Sequence, residues 1–285
     1  MLRLELDPAT RRTLRRATKN RNIRVGGAIV AIFVLMGLLA PFISPYDPTQ
    51  GNLRDSLLPP CRKYPFGTDF AGRDILSRVI WGARTSLIVS TVSVFIAVIA
   101  GVIVGGLSAY VGGWLDEVVT RIMDIMLSFP DILLALFVAA IVGPGLENVI
   151  VAVALYNFPQ FVRIMRGSAL QVKEMEYVEA AKAIGESNAS IFMRYLLPNS
   201  LAPIVVHATL RTAASILTAA GLSFLGLGVQ PPIPEWGQMM SDARTYLVTA
   251  PHVWVFPGIA LFVTVLGFNL LGDGLNDVLN PRTEV

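Results

Sequence analysis

Between residues 25 and 43 the chain runs for 19 residues without a charge. As a helix, that is enough to cross the roughly 30 Å hydrocarbon core of a bilayer. Comparable apolar runs recur at 86–107, 118–142, 146–166, 201–222 and 253–271. In lipid every backbone polar group must find its partner within the protein, which leaves helices or closed barrels, and runs of this length are helical. The sequence therefore predicts an all-α polytopic membrane protein with six transmembrane helices. Composition agrees: 15% of residues are charged and 54% hydrophobic, where a soluble domain carries about a quarter charged residues. The first run is too long for the core of a secretory signal, and Leu38, Leu39 and Ala40 lead into Pro41 rather than a small-residue cleavage site. A retained first span is expected.

Residues 1–24 carry eight Arg/Lys against Glu5 and Asp7, a basic cytoplasmic flank suited to anionic lipid rather than nucleic acid. Residues 44–85 form an external segment: Pro41, Pro45, Pro48, Pro59, Pro60 and Pro65 mark an irregular connector. A short helix is expected after it, pairing Asp69 with Arg73 and Asp74 with Arg78 at i,i+4. A five-helix core over 86–272 contains a polar loop at 167–200, and 273–285 is a short tail. Six spans place both termini on one side. Arg and Lys number 15 on that side and seven on the other, so the N- and C-termini, and the 167–200 loop, are expected in the cytoplasm. The basic residues of 44–85 run against this trend.

Several spans carry marks of their own. Ala97, Gly101 and Gly105 repeat a small residue at every fourth position, which lets another helix approach closely, from this chain or a neighbouring subunit. Arg121 and Asp124 are spaced to pair, and Pro130 is expected to kink the third span. Asn157, Pro159 and Gln160 interrupt the fourth. In the fifth, His207 and Arg211 share a face; an arginine at depth is costly and tends to face an interior cavity. Arg211, His207, Asn157 and Gln160 are thus the candidates for lining a translocation path. Gly226, Gly228 and residues 230–237 (QPPIPEWG) predict a rigid external loop.

The chemistry open to such a chain is narrow. A single cysteine, Cys61, and only two histidines, His207 and His252, predict no metal site. There is no G-x-x-x-x-G-K-[ST] phosphate loop, no G-x-S-x-G elbow and no H-E-x-x-H helix. A conduit without enzymatic activity is expected, and it needs an energy source. Proton or sodium coupling uses membrane-buried carboxylates, of which Asp131 is the one candidate away from a span end. The polar stretch 179–198 (EAAKAIGESNASIFMRYLLP) suits docking to a separate motor: a strong helix former, a break at Gly185, a second helix and a stop at Pro198. A self-contained secondary transporter or channel is the alternative, and an intramembrane enzyme a third.

The same stretch carries a family resemblance. Glu179-Ala180-Ala181, then Gly185, then Tyr195-Leu196-Leu197-Pro198 resembles the EAA loop, E-A-A-x3-G-x9-I-x-L-P, of ABC-type import permeases, with Tyr195 where Ile is usual. The stretches FGTDFAGRDILSRVIWGARTSL, FLGLGVQPPIPEWG and FNLLGDGLNDVLNP are similar to the C-type subunit of the dipeptide/oligopeptide permease family, whose relatives also carry glutathione or nickel. The likeness spans about residues 20–283. It implies a type I ABC importer transmembrane fold in a bacterial or archaeal plasma membrane. It also implies four kinds of partner: a second homologous permease, two cytoplasmic ATP-binding subunits, an extracytoplasmic substrate-binding protein and membrane lipid. ATP would bind those partner subunits and no cofactor this chain. The loop would be the coupling helix, with Glu179, Ala180, Ala181 and Gly185 at the ATPase contact; in the family the glutamate touches the ATPase and the glycine lets the helices turn.

Overall fold

The computed structural model describes residues 15–279, and every long element in it is a helix. Helix α1 (Arg21–Leu38) starts where the Asn20 side chain accepts from the backbone N–H groups of Asn22 and Ile23, at 2.8 and 3.2 Å. This cap satisfies two of the donors that a helix start leaves free. After a one-residue break the chain makes the short α2 (Ala40–Ile43), with Pro41 in its first turn, where a missing N–H is harmless.

The connector that follows is irregular apart from a 3-10 turn at Leu53–Asp55. Asp69 and Arg73 do not lie on the expected short helix. Asp69 Oδ1 accepts from the backbone N–H groups of Ala71 and Arg73, both at 2.9 Å, and Arg73 Nε donates to Oδ2 at 2.6 Å, closing a tight turn. The Asp69–Arg73 pair thus forms, on a turn and not on a helix, whereas Asp74 does not pair with Arg78; it caps the next helix by accepting from Ser77 N–H at 2.8 Å. Arg78 turns back to Asp69 instead, at 3.5 Å. An aspartate finds turn and cap amides nearer than a side chain one helical turn away. Buried this way, Arg73 and Arg78 are countered locally, which accounts for basic residues in a segment where the charge trend disfavours them.

Helix α3 (Ile75–Val111) spans 37 residues, about 55 Å at 1.5 Å per residue. It includes 75–85, expected in the external segment. Gly112 ends it with a positive φ. The third apolar run is not one kinked helix: α4 (Gly113–Leu127) and α5 (Asp131–Val142) meet at 93° around Pro130. Nor do Arg121 and Asp124 pair. Arg121 reaches Glu117 at 3.9 Å, and Asp124 takes Arg163 at 3.0 Å. Helix α6 (Leu146–Lys173) continues straight through Asn157, Pro159 and Gln160 and past residue 166. A second long crossing occupies Asn188–Phe224, and α11 (His252–Leu279) extends into the stretch expected as tail. Among the described residues, five helices are thus long and apolar enough to cross a membrane, or six with the bent pair as one.

Close packing at glycines fixes the bundle. A Cβ on Gly101 would lie 2.4 Å from Phe161 Cβ, and one on Gly105 2.4 Å from the Val162 carbonyl oxygen. The small-residue stripe of α3 is therefore the seat of α6, within this chain. A Cβ on Gly26 of α1 would lie 2.5 Å from the Leu271 backbone nitrogen of α11. Of residues 230–237, the first four are exposed and the last four buried. Glu235 and Trp236 are 2% and 0% exposed, and Trp236 starts a short helix, α10 (Trp236–Asp242). The Trp236 indole N–H donates to the Val79 carbonyl at 3.1 Å, its ring meets Phe33 edge-on at 5.7 Å, and Gly82 leaves it room. An indole with a buried partner for its N–H is worth more inside than out. Large apolar side chains such as Phe95, Phe137 and Phe262 stay exposed, as suits a surface in contact with lipid or a membrane partner.

Candidate functional site

At the end of the bundle where α6 stops, the polar loop folds into a compact hairpin of helices. Helix α7 (Glu176–Ala183) ends at Gly185, whose φ is +81°. The Gly185 N–H donates to the Lys182 carbonyl and the Glu186 N–H to Ala181, each at 3.0 Å, the paired bonds of a Schellman ending. Nothing lies within 4 Å of a Cβ built on Gly185, so glycine is required there by backbone conformation and not by space. Ser187 then caps α8 (Asn188–Ile191). The helix does not stop at Pro198. A π-helical turn, Phe192–Leu196, leads into α9 (Leu197–Phe224), with Pro198 in its first turn and the Leu197 N–H donating back to Phe192. The widened turn absorbs the ring and the missing N–H that would otherwise break the helix.

The hairpin has two faces. Val178, Ala181, Ile191 and Leu196 are buried with Phe161, Met165 and Ala169. Glu179, Ala180, Lys182 and Gly185 face outward, and Ile184 is 80% exposed. Ala181, expected at the partner contact, is 3% exposed and seats the helix on the bundle instead. A polar bond ties the hairpin to the end of α3, where the Tyr110 hydroxyl donates to Asn188 Oδ1 at 2.5 Å, and Lys173 Nζ at the end of α6 donates to the Ala109 and Tyr110 carbonyls at 3.1 and 3.0 Å. Next to them, Arg166 makes a two-pronged pair with Asp116, both contacts 2.6 Å. Forked pairs of this kind fix orientation as well as distance, so α6 is held to α4, and the Ser108 hydroxyl of α3 donates to the same Asp116 carboxylate at 2.6 Å.

Inside the bundle, three of the four residues expected along a path come together. Arg211 Nε donates to Asn157 Oδ1 at 2.8 Å, while its Nη1 and Nη2 reach Asp131 Oδ2 at 3.1 and 3.0 Å. Gln160 donates to the same carboxylate, at 3.4 and 3.2 Å. The guanidinium lies over the Tyr156 ring, 5.1 Å from its centroid. Asn157 is fully buried and donates to the Val153 carbonyl and to Ser215, both at 2.9 Å. His207 makes no such bond: its Nε2 is buried without a partner and its ring stands against Phe161, 5.3 Å between centroids. Asp131 joins α5 to this cluster from just beyond the bend. As the one acid away from a span end it was visible in the sequence; its partner, 80 positions away, was not. Tyr156 carries no polar signature that would mark it.

Apolar crossings, an ion-paired polar cluster among three helices and a polar helical hairpin at one end define a multi-pass helical membrane permease. The chain belongs to the family of binding-protein-dependent transport system inner membrane components, which matches residues 97–285, and residues 9–60 match the N-terminal transmembrane domain of oligopeptide transport permease C. It is 44% identical over 274 residues to the dipeptide transport system permease protein DppC of Alkalihalophilus pseudofirmus, covering 96% of this chain and 90% of that one. It is 44% identical over 259 residues to the glutathione transport system permease protein GsiD of Pectobacterium atrosepticum, covering 90% and 86%. GsiD of an Escherichia coli strain is 45% identical over 274 residues, covering 95% and 89%. Among solved structures, the inward-facing MetNI methionine ABC transporter matches with a TM-score of 0.59 and 25% identity, over 72% of this chain and 97% of that chain. The fold is that of a type I ABC importer permease.

Proposed function

We propose that this permease forms one half of the translocation path of an ATP-driven importer of short peptides. A second homologous permease supplies the other half, two cytoplasmic ATP-binding subunits drive it and an extracytoplasmic binding protein delivers the cargo. ATP binds on those partners, and this chain performs no catalysis. Dipeptides and glutathione are the cargo class, by likeness to the DppC and GsiD relatives. The termini and the hairpin face the cytoplasm, in keeping with the excess of Arg and Lys on that side. Arg211, Asn157 and Gln160 border the path, with His207 alongside.

The observation that carries this reading is the two-faced hairpin: Glu179, Ala180 and Gly185 point away from a helix whose other face is locked into the bundle. Such an element transmits force as a rigid body. ATP-driven closure of the motor subunits would move it, and α3 and α6 with it. Cysteine cross-linking tests this. Cys61, exposed and the sole cysteine, is replaced by serine and a cysteine is placed at Ala180 or Ile184. Cross-links from either position to the ATP-binding subunit, and none from a control cysteine at Phe137, are the expected outcome. No cross-link in an assembled, active complex would remove the hairpin from the contact.

A further inference from the structure

We infer that Arg211 is the docking point for a cargo carboxylate, and that Asp131 is its exchangeable stand-in between transport events. This deepens the importer reading above and rests on it. The guanidinium is fixed on two sides, by the Nε bond to Asn157 at 2.8 Å and by the Tyr156 ring beneath it. Asn157 is in turn immobilised by Val153 and Ser215, so the arginine has a fixed direction. Its terminal nitrogens are poorly matched. Both converge on the single oxygen Oδ2 of Asp131, whereas a carboxylate best meets a guanidinium with two oxygens on two nitrogens. Asp131 divides its acceptors with Gln160.

The two partners also differ in burial. The Arg211 side chain is 13% exposed and that of Asp131 47%, so the anion is the accessible and replaceable member of the pair. It sits at the first residue of α5, directly after the 93° bend, so a movement of α5 carries it away from Arg211. An arriving carboxylate that offers two oxygens takes the fork. Asp131 keeps Gln160 while it is displaced, and its return ejects the cargo. The charge of Arg211 is never left uncompensated, which a desolvated arginine requires.

The test uses the complete transporter with its binding protein in proteoliposomes. ATP-driven uptake of dialanine, which has one carboxylate, is compared with uptake of its C-terminal amide, which has none. The binding protein is common to every variant, so its own preference cancels in the ratio of variant to wild type. Arg211→Gln is expected to cut the free-acid over amide ratio about tenfold or more, and Arg211→Lys, which keeps charge but loses the fork, to give an intermediate ratio. Asp131→Asn is expected to lower the KM for the free acid and leave that for the amide in place. Equal losses for acid and amide in both Arg211 variants would overturn the proposal and leave the arginine a structural role. A wild-type complex that takes up neither dialanine nor glutathione in an ATP-dependent way would overturn the importer reading itself, and this proposal with it.

Discussion

Arg78 Nε and Asp69 Oδ2 lie 3.5 Å apart with 2% and 6% of their side chains exposed, and the same carboxylate holds Arg73 at 2.6 Å. One buried carboxylate is thus shared by two buried arginines, and Asp242 adds a second negative charge toward Arg78. Arg78 also donates to the Pro48 and Pro232 carbonyls, at 2.9 and 3.4 Å, so the connector after α2 and the loop before α10 meet at the start of α3. Removing one partner of a buried pair leaves an uncompensated charge. Asp69→Asn is expected to destabilise the subunit by about 3 kcal/mol or more. Arg78→Met leaves Asp69 its partner Arg73 and is expected to cost less. Thermal unfolding of the two variants in detergent gives the order, and an equal loss would contradict it.

Gly105 and Gly167 lie on the two helices that pack together and are expected to respond oppositely. A Cβ at Gly105 strikes the Val162 backbone at 2.4 Å, while nothing lies within 4 Å of one at Gly167. Gly105→Ala must push α3 from α6 and is expected to cost about 1–3 kcal/mol. Gly167→Ala, within α6, is expected to be neutral or to add about 0.5–1 kcal/mol by lowering the entropy of the unfolded chain. Unfolding temperatures of the purified subunit check both signs.

Asp55, in the connector, is held below the usual carboxylate range by the Tyr64 hydroxyl at 2.9 Å and then by Lys63 at 3.1 Å. Its contribution to the connector's stability is therefore present above the unfolded value of about 3.9 and lost as pH falls through the lower folded value. Limited proteolysis of the connector as a function of pH is expected to show wild type losing protection on the acid side. Asp55→Asn should start less protected and show a flatter profile. A parallel profile in the variant would contradict the assignment.

The crossings were legible because an apolar run of bilayer length has few other fates. The hairpin was legible too: Gly185 falls where a helix needs a left-handed residue, and its φ is positive. Helix ends were less so. Ile75 begins α3 well before the uncharged run because Asp74 caps it, and no apolar window contains that signal. Pro198 looked like a stop because a π turn is invisible in sequence. Pro130 marked a bend, but the 93° angle is set by how α4 and α5 pack. Asp131, Asn157, Gln160 and Arg211 each stood out as polar residues in apolar surroundings, yet their meeting is a property of three helices and of no local pattern. Residues 1–14 of the expected basic flank and 280–285 of the tail lie outside the described residues.

ATP-driven uptake by Gly185→Pro and Glu179→Lys variants tests most directly whether the hairpin turning at Gly185 couples this permease to its motor. Proline cannot adopt the φ of +81° found at Gly185 and has no N–H for the Lys182 carbonyl, while Glu179→Lys reverses a charge on the exposed face. Both variants are expected to insert at wild-type levels and to lose ATP-dependent uptake. Wild-type uptake by Gly185→Pro at normal expression would contradict that coupling.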